Sequence, residues 1–205
     1  MAEAQSVSPV NNLFRRLLDN DEDEPPLISR GELCLITPTP GGGEIPAIWH
    51  EQPVIVFNPG IIEKIALRDE TAYDPNDPYK SFWEYRPTPT TSHVVYDGEP
   101  LQSERIYSVD IYLDADDESP TTFPIFQLLS EDSRQQIATE LALQTTPKNN
   151  NDLPTEDWTA IQQADYFIER GLRLDAIQAL FNVDSPSPEL ATMQQQMIES
   201  VCSQD

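Results

Sequence analysis

The sequence predicts an α+β protein in which strands come first and helices follow. Three observations carry that expectation. Short β-branched and aromatic runs fill residues 31–128, helical periodicity takes over from Ser130, and 19 prolines against 7 glycines favour extended segments and stiff loops over a helical bundle. A length of 205 residues holds one ordinary domain, or a small domain with an appendage, and a hydrophobic share of 38 % suffices for a core. The expected organisation is a flexible acidic leader over 1–30, an antiparallel β-sandwich over 31–129 and a helical tail over 130–205.

The strand candidates are Leu33 to Ile36, Val54 to Phe57, Ile61 to Leu67, His93 to Tyr96, Ile106 to Leu113 and Phe123 to Leu128. In the fifth, Ile106, Ser108, Asp110 and Tyr112 alternate with Tyr107, Val109, Ile111 and Leu113, which predicts one solvated face and one buried face. Turn material separates the runs at Pro38 to Gly43, Asn58-Pro59-Gly60, Asp74 to Pro78, Pro87 to Thr91 and Asp97-Gly98. Six or seven short strands at this spacing predict a sandwich of immunoglobulin-like size. The lack of helical patterning between them argues against an α/β nucleotide-binding fold.

In the leader, Leu13, Phe14, Leu17 and Leu18 fall at helical spacing around Arg15 and Arg16, enough for one amphipathic turn. The acidic residues Asp19, Asp21, Glu22, Asp23 and Glu24 then meet Pro25-Pro26, a composition that reads as solvated linker or as a segment that folds on a partner. Ala2-Glu3-Ala4 has the small-x-small form of a signal-peptidase site, although no charged and apolar stretch precedes it.

From Ser130 a capping residue and the acids Glu131 and Asp132 open a first helix, with Ile137, Leu141 and Leu143 as its apolar stripe. A polar loop over Thr145 to Asp152 follows. Thr155 to Trp158 open a second helix running to about Arg170, Gly171 breaks it, and Leu172 to Phe181 form a third. Pro186 and Pro188 precede a last helix over Pro188 to Val201. Ala164, Phe167, Gly171, Ala176, Leu180 and Pro188 match the spacing of one tetratricopeptide repeat, a helical hairpin of about 34 residues. Small residues at 164 and 176 let the helices approach, and Phe167 fills the space between them. An ordinary helical hairpin accounts for the same residues. A single such unit cannot bury its apolar side alone, so it must pack on the sandwich, the last helix or a partner.

Charge excludes several functions. Lysine plus arginine total 12 against 36 aspartate plus glutamate, a formal charge of −24. Phosphate backbones and anionic membranes both call for a basic footprint that this chain lacks, so no nucleic-acid partner is expected. No apolar run approaches the roughly 18 residues of a membrane span.

Candidate chemistry is sparse. His50 and His93 lie in or beside strands with no serine motif near them, and Gly41-Gly42-Gly43 lacks the lysine of a phosphate loop, so it reads as a flexible hairpin loop. No catalytic residue and no cofactor is expected. Asp114, Asp116, Asp117 and Glu118 offer the clustered carboxylate oxygens that calcium prefers, without the glycine and distal glutamate of an EF-hand loop; a solvated turn fits the same residues. Asp69, Glu70, Asp74 and Asp77 make a second acidic loop of the same kind. Trp49, Trp83 and Trp158 are candidates for a sugar-stacking platform, or for core and junction residues.

Ser29 to Pro38, with its Arg-Gly-x-x-Cys-x-x-x-Pro pattern, Ile48 to Pro53, Tyr96 to Leu101, Ala164 to Phe167, Asp175 to Gln178 and Pro186 to Leu190 occur in an order that resembles a group of uncharacterised cyanobacterial proteins. The likeness covers most of residues 29–202. It implies a β-sandwich followed by a short tetratricopeptide-like tail, and export to the periplasm or an equivalent compartment; it implies no activity. The chain departs from the pattern at Tyr107-Ser108-Val109, where the family often has Tyr-x-Trp, and in the longer insertion Asp74 to Pro78. In an exported protein Cys34 and Cys202 can clip the tail to the sandwich, whereas in a cytosolic one they are separate thiols.

The leading functional expectation is a non-enzymatic interaction or scaffold protein that meets a protein partner through the helical tail, with Tyr166, Arg173, Met193 and Met197 as contacts. The alternative is a carbohydrate- or calcium-binding module of the cell envelope. A third reading, an acidic decoy that mimics nucleic acid, rests on the charge alone.

Overall fold

The computed structural model describes residues 13, 16, 17, 29, 30, 33–38, 45–144 and 154–202. Among the described residues are nine strands: β1 (Ser29–Arg30), β2 (Leu33–Thr37), β3 (Ala47–Ile48), β4 (Val54–Phe57), β5 (Lys64–Asp69), β6 (Trp83–Tyr85), β7 (His93–Val95), β8 (Ile106–Tyr112) and β9 (Ile125–Leu128). Four helices follow: α1 (Glu131–Gln144), α2 (Thr155–Glu169), α3 (Arg173–Phe181) and α4 (Pro188–Cys202). The α+β expectation therefore holds. One sheet has the order β1-β2-β4-β7 and the other β3-β9-β8-β5-β6. Neighbours are antiparallel except β3 and β9, which run parallel.

The continuous apolar runs in β2 and β4 follow from burial on both faces. Leu35, Ile55 and Phe57 point to the second sheet and share a core with Ile65, Leu67, Val109, Ile111, Phe126 and Leu128. Cys34, Ile36, Val54 and Val56 point the other way and pack with Phe167, Leu180, Leu190, Met193 and Met197 of the helices. The four-stranded sheet is thus the middle layer, between the five-stranded sheet and the helices.

The alternation in β8 is not the mark of a solvated face. Ser108 and Asp110 are fully buried, and Tyr112 nearly so. Arg68 on neighbouring β5 donates to Asp110 through Nε (2.9 Å) and Nη2 (3.2 Å), and the Ser108 hydroxyl adds a third bond at 2.9 Å. The connection after the 3₁₀ turn Glu70–Ala72 covers the pair: Arg68 Nη1 donates to the Pro78 carbonyl (3.0 Å), and the Tyr79 ring lies 5.4 Å from the guanidinium. Burial works against the charge on Arg68, but Asp110 and Glu70 outweigh it and hold the guanidinium above its ordinary pKa.

Other expectations shift in detail. Ile61 to Glu63 lie outside β5, and the two- and three-residue strands β1, β3 and β6 carry too few residues for a periodic signal. Leu143 is 79 % exposed and does not belong to the stripe that buries Ile137 and Leu141. Leader residues Leu13, Arg16 and Leu17 are helical, as their amphipathic spacing predicts, and both leucines are buried in the helix–sheet core. The rest of the leader up to residue 28, including Ala2-Glu3-Ala4, the acidic run and Pro25-Pro26, lies outside the described residues, as do Gly41-Gly42-Gly43 and the loop 145–153.

Candidate functional site

The polar centre of the molecule forms where Trp49-His50-Glu51, leaving β3, meets the helices. Asp175 and Gln178 stand three residues apart on α3 and so share one face of it. Asp175 accepts the Trp49 amide at 2.9 and 3.0 Å and the His50 amide at 3.3 Å, and its Oδ1 lies 2.7 Å from His50 Nδ1. Gln178 Oε1 accepts the Val54 amide at 3.1 Å. Both side chains are buried. They satisfy main-chain donors that an apolar helix face would leave unpaired at the junction.

Helix α1 holds the same segment from the other side. Arg134 Nε donates to the Trp49 carbonyl (3.1 Å), Nη1 to Ser103 Oγ (3.0 Å), and Nη2 pairs with Glu51. Trp49 Nε1 returns a bond to the Arg134 carbonyl at 3.0 Å. The Trp49 and His50 rings both sit against Phe167, at 5.7 and 5.6 Å between centroids.

His50 forms part of the wall of a cleft of about 420 Å³. Thr155, Thr159 and Gln163, four residues apart along one face of α2, line one side; Asn182 and Asp184, after α3, line another. Because a carboxylate can only accept, the bond to Asp175 Oδ1 orients the His50 ring through Nδ1 as donor. An imidazole so oriented is the base half of a nucleophilic site. The other half is not assembled. Thr159 Oγ1 donates to the Thr155 carbonyl at 2.8 Å, both cysteines are in a disulfide, and among the described residues no hydroxyl or thiol bonds His50. Glu156 and Asp184 add two carboxylates, so the lining suits a group rich in hydrogen-bond donors or positively charged.

The residues expected to meet a partner are placed differently. Met193 and Met197 are buried in the helix–sheet core, where they fill space between α4 and β2 and cannot reach a partner. Tyr166 is 1 % exposed; its hydroxyl donates to Glu140 Oε2 at 2.9 Å, and Arg170 lies 3.6 Å over its ring. Burial first, then that bond, push the phenol up to about 12. Arg173, half-buried, donates to the Leu17 carbonyl, a partner from its own chain. Cys34 and Cys202 are joined, with Cα atoms 5.6 Å apart, and tie the end of α4 to β2.

The acidic loops are turns. Asp114 accepts the Asp116 amide at 3.0 Å, as a solvated Asx turn does, and among the described residues no three His, Cys, Asp or Glu side chains converge to hold a metal. At Asp114, Asp116, Asp117 and Glu118 this bond belongs to the solvated-turn reading, the alternative to a calcium site. In the second loop Asp69 caps the 3₁₀ turn through the Thr71 amide and pairs with Arg105 at 2.5 Å. Partial burial opposes its charge, but those bonds hold its carboxyl below the ordinary value. Trp49 and Trp83 are core and junction residues in different clusters: Trp49 packs on the helix–sheet core and Trp83 on the inter-sheet core, with Trp83 Nε1 donating to Asp97 at 2.7 Å.

Sequence reasoning assigned no role to Asp175 and Gln178. Their signal was present: two polar residues at i and i+3 in a helix that, after Arg173, is otherwise made of Leu174, Ala176, Ile177, Ala179, Leu180 and Phe181. No family model, curated protein or solved structure matches this chain.

Proposed function

We propose that this is a non-enzymatic protein-interaction module whose helical layer is the docking surface, with the cleft beside His50 as the place where a partner inserts. One observation carries the reading: a cleft of about 420 Å³ between helices, lined by an oriented imidazole, threonines, amides and two carboxylates, with no nucleophile bonded to the imidazole among the described residues. A partner segment bearing a lysine, arginine or amide side chain suits that lining, and the charge of −24 favours its approach.

The immunoglobulin-like reading of the sheets draws support from strand order. β2-β4-β7 facing β6-β5-β8-β9 follows the A-B-E and C′-C-F-G scheme, and Tyr107 near the start of β8 accepts the Gln102 amide at 2.9 Å, as the corner tyrosine of such sandwiches does from a residue just upstream. Support for the tetratricopeptide-like reading comes from Gly171, at φ +70° between α2 and α3, and from Ala164, Phe167, Ala176 and Leu180, all fully buried. Export is favoured by the disulfide and by the resemblance to cyanobacterial proteins.

Partners captured by the full chain from native-host lysate, compared with those captured by Thr159→Arg and Gln163→Arg, test the proposal. Loss of a partner in both cleft-filling variants, with its retention by Phe123→Ala on the exposed sheet surface, supports it; retention in all three refutes it. A second reading, carbohydrate binding, has one specific observation behind it: Trp83 and Tyr85 lie parallel, 6.1 Å apart, on edge strand β6. A glycan array probed with wild type and Tyr85→Ala decides that alternative.

A further inference from the structure

Leu13, Arg16 and Leu17 lie on one helical face, and the polar partners of this turn, Asp165 and Arg173, do not line the cleft beside His50. Leu13 and Leu17 are 3 % and 2 % exposed, as deeply placed as the residues of α2, α3 and α4 whose core they join. Arg16 pairs with Asp165 on α2, and Arg173 at the start of α3 donates to the Leu17 carbonyl. The side chains of Arg16 and Asp165 stay 36 % and 46 % exposed, so the ion pair is a rim around two apolar anchors. Central apolar anchors at i and i+4 with a charged rim are the mode by which an amphipathic helix docks in a groove.

We propose that this groove is a helix-binding site held in cis by the chain's own N-terminal turn, and that its partner in trans is an amphipathic helix with leucines at i and i+4 and an arginine at i+3. Three features specify that occupant. The groove accepts that pattern from the chain itself, Asp165 selects a cation at the i+3 position, and Arg173 reads a backbone carbonyl, which carries no demand on side-chain identity. The resident turn is a built-in competitor. Belonging to the same chain, it competes at an effective concentration on the order of millimolar, so a partner must bind well below that to displace it. The site is distinct from the cleft and stands or falls independently of it.

The test uses a fluorescent peptide of residues 8–20 and the full-length oxidised chain, with binding read by anisotropy. Leu13→Glu/Leu17→Glu, which expels the resident turn, is expected to bind the peptide at least about tenfold more tightly than wild type does. A peptide carrying the same two glutamates is expected not to bind. In the expelled background Asp165→Arg weakens binding about two- to fivefold, and a peptide with Arg16→Asp restores it. Equal peptide affinity for wild type and a folded, disulfide-bonded double variant overturns the proposal. Should the double variant fail to fold, methyl spectra of labelled wild type decide: millimolar peptide moves the Leu13 and Leu17 signals to free-chain positions, and unmoved signals overturn the assignment. A wild-type dimer that exchanges the turn between copies also overturns it, because the groove then serves self-association.

Discussion

Asp110 and Asp175 are both fully buried, yet they do different work. Asp110, on the outer face of the five-stranded sheet, spends its oxygens on side chains: the fixed charge of Arg68 and the hydroxyl of Ser108. Asp175, at the junction of helices and sheet, spends its oxygens on main-chain amides and on an imidazole that borders a cleft. The first arrangement closes a surface. The second joins two layers and leaves a polarised ring beside open space, which is why the helical side carries the functional proposal. What surrounds a buried carboxylate, more than its burial, decides its role.

The largest effect expected concerns the junction. Replacing Cys34 and Cys202 with Ala and Ser releases a loop closed across 168 residues, which the chain-entropy relation values at roughly 5 kcal/mol. Denaturation of the oxidised and cysteine-free chains measures it, and hydrogen exchange is expected to rise in α4 before it rises in β8. Equal loss of protection in both would erase the distinction between the two regions.

Next is Asp175→Ala, which strips the acceptor from two main-chain amides and the imidazole and is expected to cost about 3–5 kcal/mol in chemical denaturation. Asp110→Ala, which leaves the buried Arg68 with Glu70 and the Pro78 carbonyl alone, is expected to cost less, about 2–3 kcal/mol. The double replacements separate the sites. Arg68→Met with Asp110→Leu, made in a Ser108→Ala background so that no buried hydroxyl is stranded, is expected to recover to within about 1 kcal/mol of wild type, since an apolar pair can replace a buried ion pair. His50→Leu with Asp175→Leu is expected not to recover, because the Trp49 and His50 amides remain unpaired.

Smaller effects are read through pH. Tyr112, near Asp110, and Tyr166, in the helical layer, are both pushed up to about 12, each chiefly by burial. Below about pH 10 both phenols are neutral folded or unfolded; between about 10 and 12 only the unfolded chain ionises, so their contribution to stability is lost as pH rises through that window. Difference absorbance at alkaline pH measures it, with Tyr112→Phe and Tyr166→Phe as assignments. Glu140→Gln is expected to lower the Tyr166 titration and leave that of Tyr112 unchanged. His93, lowered by burial, acts at the other end: its contribution is present above pH 6.5 and lost as pH falls, and His93→Leu is expected to flatten the acid limb.

The helices were legible nearly to the residue because their ends carry local chemistry: Ser130 ahead of α1, Gly171 between α2 and α3, and Pro188 opening α4. β2 and β4 were legible as strands, and their lack of alternation already contained the three layers. The polar partnerships were not. Arg68 and Asp110 are 42 residues apart, and His50 and Asp175 are 125 apart; such pairing leaves no trace in a local window. The same limit made the β8 pattern read as solvated and placed Met193 and Met197 on a surface that the fold buries.

The most direct test of the interaction reading is site-specific photo-crosslinking in the native host, with the crosslinker placed at Thr159 in the cleft or at Asp117 in the exposed turn. The account predicts a discrete protein adduct from Thr159 that is absent from Asp117 and disappears when Glu156 and Asp184 are both changed to lysine. The same adduct from both positions, or one indifferent to those lysines, would contradict it.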